Sequence, residues 1–244
     1  MSRRPRALIT GFTGMVGSHL ADHLLAHTDW DLFGLLRWNE DLKNVDHLLD
    51  RVNQTDRLAL VTGDLNDHPS LGRAIEHVRP DYVFHLAAQS YPQQSFVAPI
   101  ETLQTNILGT AGLLDAIHRS GLRPVIHVCA SSEVFGRVGK EHLPIDEETP
   151  FHPASPYAIS KVGTDLVGRF YAEAYGMTAV HVSDWPDATT GADYWTSSTD
   201  HVIVTRNPQI LQHPRITEAG KQITAPADFR IWTDDFYNML RVLK

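Results

Sequence analysis

Tyr157 and Lys161 are the residues of this 244-residue chain whose types and spacing point most directly to chemistry. A free phenol titrates near pH ~10, too high for a base at neutral pH. A cation held beside it favours the phenolate and brings the hydroxyl toward a working range. Four residues apart on a helix, the two side chains lie on one face. The stretch Ser155-Pro156-Tyr157-Ala158-Ile159-Ser160-Lys161 reads as the opening turns of such a helix, with Pro156 at an early position that tolerates it. A second pair of reactive types, Ser131 and Glu133, follows the apolar run Val125 to Cys129. Open α/β sheets place ligands and catalytic groups just past the carboxyl ends of strands, so a hydroxyl and a carboxylate there are well placed. Taken alone, a Tyr-x-x-x-Lys pair is more often a half-buried aromatic beside a solvated lysine, and two serines with a glutamate are more often a polar loop. The surrounding elements decide.

Those elements begin with Ala7-Leu8-Ile9-Thr10, a short apolar run that reads as a buried strand. It feeds Gly11-Phe12-Thr13-Gly14-Met15-Val16-Gly17, after which Val16, Leu20 and Leu24 recur at helical spacing with Leu25 adjoining that face. Strand, glycine turn and helix are the setting of a dinucleotide cradle: the glycines let backbone approach a pyrophosphate, and the helix N-terminus offers free N–H groups and a positive dipole end. The next strand is expected over Asp31 to Leu36. Sites that prefer NAD place a carboxylate at its end, about 20 residues past the glycines, to hold the ribose hydroxyls. Here that place holds Arg37, and a carboxylate follows only at Glu40. A guanidinium suits a 2′-phosphate, which favours NADP over NAD.

Leu58 to Val61 reads as the third strand, and Asp64 after it either accepts from an adenine amino group or caps the next helix. Tyr82 onward is a fourth strand running into small residues, Leu86-Ala87-Ala88-Gln89-Ser90, that let a loop approach a cofactor. A helix is expected from 99 to 119, with Leu103, Ile107, Leu113, Leu114 and Ile117 as its apolar face. Asn106 within it is a poor helix former, and reads equally as a buried polar anchor or a solvated side chain. Val125 to Cys129 is the fifth strand, with Cys129 a core residue, and Ala179 to Val182 the sixth.

Composition narrows the function classes. A net charge of −8 argues against general nucleic-acid binding. No apolar run approaches the ~20 residues of a membrane span. Cys129 is the single cysteine, which excludes an intrachain disulfide and a cysteine metal cluster and fits a reducing cytoplasm. The 14 histidines are scattered, and no metal site is expected.

As a set, Thr10-Gly-x-x-Gly-x-x-Gly17, Asp64-Leu65, His85-Leu-Ala-Ala-Gln-Ser90, Asn106 with Gly109-Thr110, Ser131-Ser-Glu133 and Tyr157-x-x-x-Lys161 resemble the extended short-chain dehydrogenase/reductases that act on nucleotide sugars. The resemblance covers about residues 5 to 182. Gly34-Leu35-Leu36-Arg37, the Leu-Ala-Ala-Gln-Ser loop and Thr149 to Tyr157 are most similar to the family's GDP-mannose 4,6-dehydratases. The resemblance implies a tightly held NADP against Gly11, Thr13, Gly14, Met15, Val16 and Gly17, with Arg37, Asp64, Leu65, Leu86, Ala87, Ala88, Tyr157 and Lys161. It places Ser90, Ser132 and Glu133 against the sugar. Tyr157, activated by Lys161 and hydrogen-bonded with Ser131, would take the proton of the sugar 4-hydroxyl as hydride leaves C4 for the nicotinamide. Glu133 would then remove the C5 proton, water would leave from C6, and the hydride would return there. Family dehydratases carry Thr where Ser131 stands, and the hydroxyl is kept. Some 4-keto-sugar reductases carry the glutamate too, so a reductase is the second expectation, an epimerase trails, and a non-catalytic dinucleotide-binding remnant is a further reading.

The expected fold is therefore α/β: a Rossmann-type doubly wound parallel sheet over 1–182 carrying the catalytic residues, with a shortened, atypical substrate region over 183–244. Ser183-Asp184-Trp185-Pro186 stands where the family shows Arg, Asn or His, then Gly-Pro, which reads as a truncated or rearranged relative. Asn207 to Leu211 weakly resembles a segment before the family's last helices, and Trp232 to Leu243 reads as a terminal amphipathic helix. The helices at 99–119 and 156–174 are those the family uses for a dimer seam, so a homodimer is expected. In the second, Leu166, Phe170 and Ala174 are spaced for one face, which could equally be core.

Overall fold

The computed structural model describes residues 3–52, 57–136, 138 and 149–182. These fall into two compact units, one running to Ala130 and resuming over Ser155–Val182, the other holding 131–136, 138 and 149–154. The C-terminal readings on Ser183–Gly191, Asn207–Leu211 and Trp232–Leu243 lie outside the described residues.

The first unit is built on a parallel sheet of six strands: β1 (Arg6–Thr10), β2 (Asp31–Leu36), β3 (Leu58–Thr62), β4 (Tyr82–His85), β5 (Val125–Cys129) and β6 (Thr178–Val182), in the order 3-2-1-4-5-6. The helices that join them are α1 (Met15–His27), a short α2 (Asp46–Leu49), α3 (His68–Val78), α4 (Pro92–Val97), α5 (Pro99–Leu103), α6 (Gly109–Arg119) and α7 (Pro156–Tyr175). Parallel crossovers are right-handed, and the order reverses direction at β1. The helices before β3 and those after it therefore take opposite faces of the sheet. On one face, α1 lies against β1 and β2 and buries Leu20, Ala21, Leu24 and Leu25. On the other, Leu71, Ile75 and Val78 of α3 and Leu113, Leu114 and Ile117 of α6 pack on Leu8, Val83, Ile126 and Val128. Strands buried on both faces read as continuous apolar runs, and those runs made the six strands visible in the sequence.

The helix read across 99–119 is present but is not uniform. Between α5 and α6, residues Gln104–Leu108 widen into a π-helical turn. The extra residue rotates the helix surface, so the apolar face expected through Leu103 and Ile107 does not continue the one carried by Leu113, Leu114 and Ile117. Both residues are only partly buried, and the inward positions are the polar Thr102, Asn106 and Thr110. Single π turns of this kind concentrate at functional sites.

Helix α7 starts where Ser155 caps it, its hydroxyl accepting from the Ala158 N–H at 3.0 Å, with Pro156 supplying a first-turn residue that needs no donor. It ends on Gly176 in the left-handed region at φ 61°. Leu166 and Phe170 are exposed on it, so they are not core in this chain.

Candidate functional site

Reversal of strand order at β1 opens a crevice at the carboxyl ends of β1 and β4. A cleft of about 360 Å³ lies there. Gly11, Thr13 and Gly14 form one wall, Arg37 and Glu40 close the end beyond β2, Asp64 and Leu65 follow β3, and Leu86, Ala87, Ala88 and Ser90 follow β4. Ten of the sequence-read residues thus share one cleft. Met15, Val16 and Gly17 do not line it: the first two are exposed on the opening turn of α1, and Gly17 faces the glycine turn itself. Leu35, Leu36, Gly63, Asn66, Gln89, Glu101 and Thr105 line it without having been read as site residues. The strand ends among them were legible as positions in an open α/β sheet; Glu101 and Thr105, on the helix after β4, carried no local signal.

The glycine turn fits a diphosphate. Gly11 holds φ +69° and its carbonyl accepts from the Gly14 N–H at 3.0 Å. Gly14 caps α1 with no side chain bonded to the free N–H groups, and no acidic residue stands in the first turn. The positive end of the 13-residue helix is left for an anion.

Asp64 caps no helix. Its carboxylate accepts from the Asn66 N–H at 2.8 Å beside the cleft. Arg37 is already engaged: its Nε donates to Glu40 at 2.7 Å and its Nη2 at 2.9 Å. The hydrogen bonds that Arg37 donates to Glu40 hold the guanidinium above its ordinary range and the Glu40 carboxyl below the usual carboxylate range.

Tyr157 and Lys161 are brought together on α7, both nearly buried, with the ammonium 5.9 Å from the centre of the phenol ring. Lys161 Nζ donates to the Cys129 carbonyl at the end of β5, at 2.9 Å. Burial pulls the Lys161 pKa down from its usual value. Cys129 thus contributes its backbone carbonyl, and its side chain, read from the sequence as core, is only partly buried.

The π turn explains Asn106. Its side chain is 1% exposed and fully used: Oδ1 accepts from the Gln89 N–H at 2.7 Å, while Nδ2 donates to the Gln89 carbonyl at 3.0 Å and to Ser160 Oγ at 2.8 Å. Ser160 in turn donates to the Tyr157 carbonyl at 2.6 Å. One asparagine therefore ties the loop after β4, which lines the cleft, to the first turn of α7. It is an anchor and not a solvated side chain.

A second buried chain crosses the same region. The Ala87 N–H donates to Thr10 Oγ1 at 3.1 Å, and Thr10 Oγ1 lies 2.9 Å from His85 Nδ1. His85 Nε2 lies 2.9 Å from Thr110 Oγ1, whose proton goes to the Asn106 carbonyl at 2.6 Å. Since the Thr110 proton is committed, Nε2 donates, and in the neutral ring Nδ1 then accepts from Thr10. Burial, with Lys161 nearby, lowers its pKa to about 3. The unfolded chain takes up a proton at His85 below pH ~6.5 and the native state does not. This residue's contribution is therefore present above pH ~6.5 and is lost at up to about 1.4 kcal/mol per pH unit as pH falls toward the folded value. Urea unfolding at pH 5, 6, 7 and 8 is expected to show a flatter acid limb for His85→Asn than for the parent chain. Parallel limbs would show that His85 is protonated in the fold.

In the second unit, Ser131 opens a 3₁₀ turn over Ser132–Phe135, its Oγ accepting from the Glu133 N–H at 3.3 Å. Val134 and Phe135 are buried, the Val134 carbonyl accepts from the His152 N–H at 2.9 Å, and Phe135 packs on Phe151 with ring centres 5.8 Å apart. Ser131, Ser132 and Glu133 are each only partly buried. Among the described residues there is no cluster of side chains able to hold a metal ion, and no helix is long and apolar enough to cross a membrane.

A parallel sheet of order 3-2-1-4-5-6, a glycine turn opening an uncapped helix at its switch point, and a Tyr–Lys face on the helix between the last two strands define a Rossmann-type domain of the extended short-chain dehydrogenase/reductase class. Within that class the chain belongs to the GDP-mannose 4,6-dehydratase family, whose model matches residues 8–184. It is 38% identical over 178 residues to a GDP-mannose 4,6-dehydratase of Vibrio cholerae serotype O1, covering 71% of this chain and 47% of that one. Among solved structures, the dTDP-glucose 4,6-dehydratase DesIV of Streptomyces venezuelae, with NAD bound, superposes with a TM-score of 0.62 at 32% identity over 72% of this chain and 54% of its own. RMD of Pseudomonas aeruginosa, complexed with NADPH, gives 0.57 at 32% identity over 72% of this chain and 52% of its own. The chain spans about half the length of the relatives it matches.

Proposed function

We propose that this chain acts as a nucleotide-sugar 4,6-dehydratase that converts GDP-mannose to GDP-4-keto-6-deoxymannose with bound NADP. The observation that carries the reading is the buried Tyr157–Lys161 face, anchored on the Cys129 carbonyl, in a chain whose family match runs from 8 to 184. The uncapped α1 N-terminus and the glycine-lined cleft suit a nicotinamide dinucleotide, as do the NAD and NADPH held by the two solved relatives. Arg37 favours NADP. When bound, the dinucleotide supplies the acceptor for the C4 hydride and its return at C6. Tyr157 takes the proton of the 4-hydroxyl, with the Lys161 ammonium favouring the phenolate. The C4 ketone acidifies the C5 proton; Glu133 removes it and passes it to the C6 hydroxyl, which leaves as water, and as hydride arrives at C6 Tyr157 gives its proton to C5 and is restored. The roles of Ser131, Glu133 and Ser90 rest on their places in the family pattern.

The test is incubation with GDP-mannose and analysis of the product by mass spectrometry. The expected product has lost one water with no net consumption of cofactor. Stoichiometric NADPH oxidation on a 4-keto sugar would identify a reductase instead, and dinucleotide binding without any product would identify a non-catalytic relative. We further propose a homodimer through the helices at 99–119 and 156–174. The support is exposed apolar surface on both: Ile100 and Leu108 on the first, Leu166 and Phe170 on the second. Sedimentation at micromolar concentration is expected to give a dimer, with Phe170→Glu shifting it to monomer; a monomeric parent chain would contradict the seam.

A further inference from the structure

We propose that Glu40 restrains the cofactor choice of this cleft: by occupying the Nε–Nη2 edge of Arg37 and offering its own carboxylate to an unsubstituted ribose, it keeps NAD acceptable beside NADP. The inference rests on the dinucleotide reading above. Arg37 and Glu40 both line the cleft at the end of β2, where the adenosine ribose of a dinucleotide lies in a Rossmann crevice. The guanidinium presents two edges that can hold one partner through a pair of N–H groups, Nε with Nη2 and Nη1 with Nη2, and the first is taken: both of its groups donate to Glu40, at 2.7 and 2.9 Å. A 2′-phosphate must then either displace Glu40 or settle for the remaining donors.

Charge argues the same way. Arg37 is the single cation among the described residues lining the cleft, against three carboxylates, Glu40, Asp64 and Glu101. All three act on the Arg37 charge. Glu40 itself stays ionised at neutral pH, since Arg37 holds its carboxyl below the ordinary range. A dianionic phosphate placed beside Arg37 therefore meets a carboxylate a hydrogen-bond length away, whereas a ribose hydroxyl meets an acceptor. Two effects oppose each other: Arg37 attracts the phosphate, and Glu40 both occupies Arg37 and repels the phosphate. In the sequence the carboxylate stands three residues past the arginine, off any strand register, so the two were legible as types but not as a pair.

Calorimetric titration of the 244-residue chain, stripped of bound nucleotide, with NAD and with NADP measures the balance directly. The parent chain is expected to bind both, with a preference under about tenfold. Glu40→Gln is expected to widen the preference for NADP by about tenfold or more, tightening NADP and weakening NAD. Glu40→Ser is expected to move the ratio the same way, which separates loss of charge from any local misfit of the amide. In an Arg37→Gln background, Glu40→Gln is expected to lose most of that gain, because the competition runs through the guanidinium. An unchanged ratio in both Glu40 variants overturns the proposal. So does weaker NADP binding, which would make Glu40 a brace that orients Arg37 for the phosphate. Failure of the parent chain to bind either dinucleotide would overturn the dinucleotide reading itself, and the proposal with it.

Discussion

On the proposed dehydratase reading, Tyr157→Phe is expected to lower turnover of GDP-mannose by about 10²–10⁴-fold while leaving the fold and dinucleotide affinity close to those of the parent chain. The change removes one oxygen from a side chain that is 8% exposed. It leaves the ring, and with it the packing. It also leaves the two bonds that fix this part of α7, since Ser160 donates to the backbone carbonyl of residue 157 and Lys161 donates to the Cys129 carbonyl. The lysine cannot replace the phenol as the base. Its ammonium is committed to a carbonyl and sits 5.9 Å from the ring centre, placed to act on the phenol's charge. Loss of the hydroxyl therefore removes the proton acceptor without moving the group that tunes it. The measurement is product formation by mass spectrometry, with thermal unfolding and NADP titration as controls on fold and binding. A variant that keeps more than about a tenth of the activity, with both controls normal, would remove Tyr157 from the mechanism.

The sheet was legible because a parallel strand buried on both faces reads as a mainly apolar run: Ala7 to Ile9, Tyr82 to Phe84, and Val125 to Cys129 broken only by His127. The right-handed crossover rule limits how those strands are joined, but their order 3-2-1-4-5-6 comes from the structure. The cradle was legible because a glycine turn between a strand and a helix is local. What escaped were relations between residues that are not periodic neighbours. The π turn at Gln104–Leu108 has no composition signal, and it rotated Leu103 and Ile107 out of the face they were read into. Asn106 was ambiguous because its partners, Gln89 and Ser160, are 17 and 54 residues away. Arg37 was read as an arginine awaiting a phosphate because loop shape, and not sequence spacing, brings Glu40 onto its fork. Leu166 and Phe170 show the same limit on a helix: spacing shows that two residues share a face but not what the face meets.

Gly17→Ala is expected to abolish dinucleotide binding and to lower stability together, even though Gly17 is not among the residues lining the cleft. A methyl group at this position would stand 2.3 Å from the Gly11 carbonyl oxygen, 2.8 Å from the Phe12 Cα and 2.9 Å from the Phe12 carbonyl oxygen. All three are backbone atoms, so no rotamer change relieves the contact; the turn must move away from α1. The turn has nowhere to go, because a methyl group at Gly11 would already meet the Ala87 N at 2.8 Å on its other side, which shows how closely it is wedged against the loop after β4. Overpacking of this kind costs about 1–3 kcal/mol, a fall in melting temperature of roughly 2–4 °C for each kcal/mol in a chain of this size. Any relief also stretches the 3.0 Å bond from the Gly14 N–H to the Gly11 carbonyl, which sets the shape of the cradle. Gly14→Ala is the discriminating control. Gly14 has φ −75° and ψ 169°, which any residue adopts, and an added methyl group meets only the Gly11 carbonyl oxygen, at a tight 3.2 Å that a shift of the turn by a few tenths of an ångström relieves. It is expected to lose much less stability than Gly17→Ala, so that a weakening of NADP binding out of proportion to its melting temperature reports the approach of the pyrophosphate. Thermal unfolding of both variants, with and without saturating NADP, separates the two effects. Gly17→Ala unfolding with the parent chain and shifting normally with NADP would mean that the glycine turn does not need the close approach to α1 that the geometry assigns it.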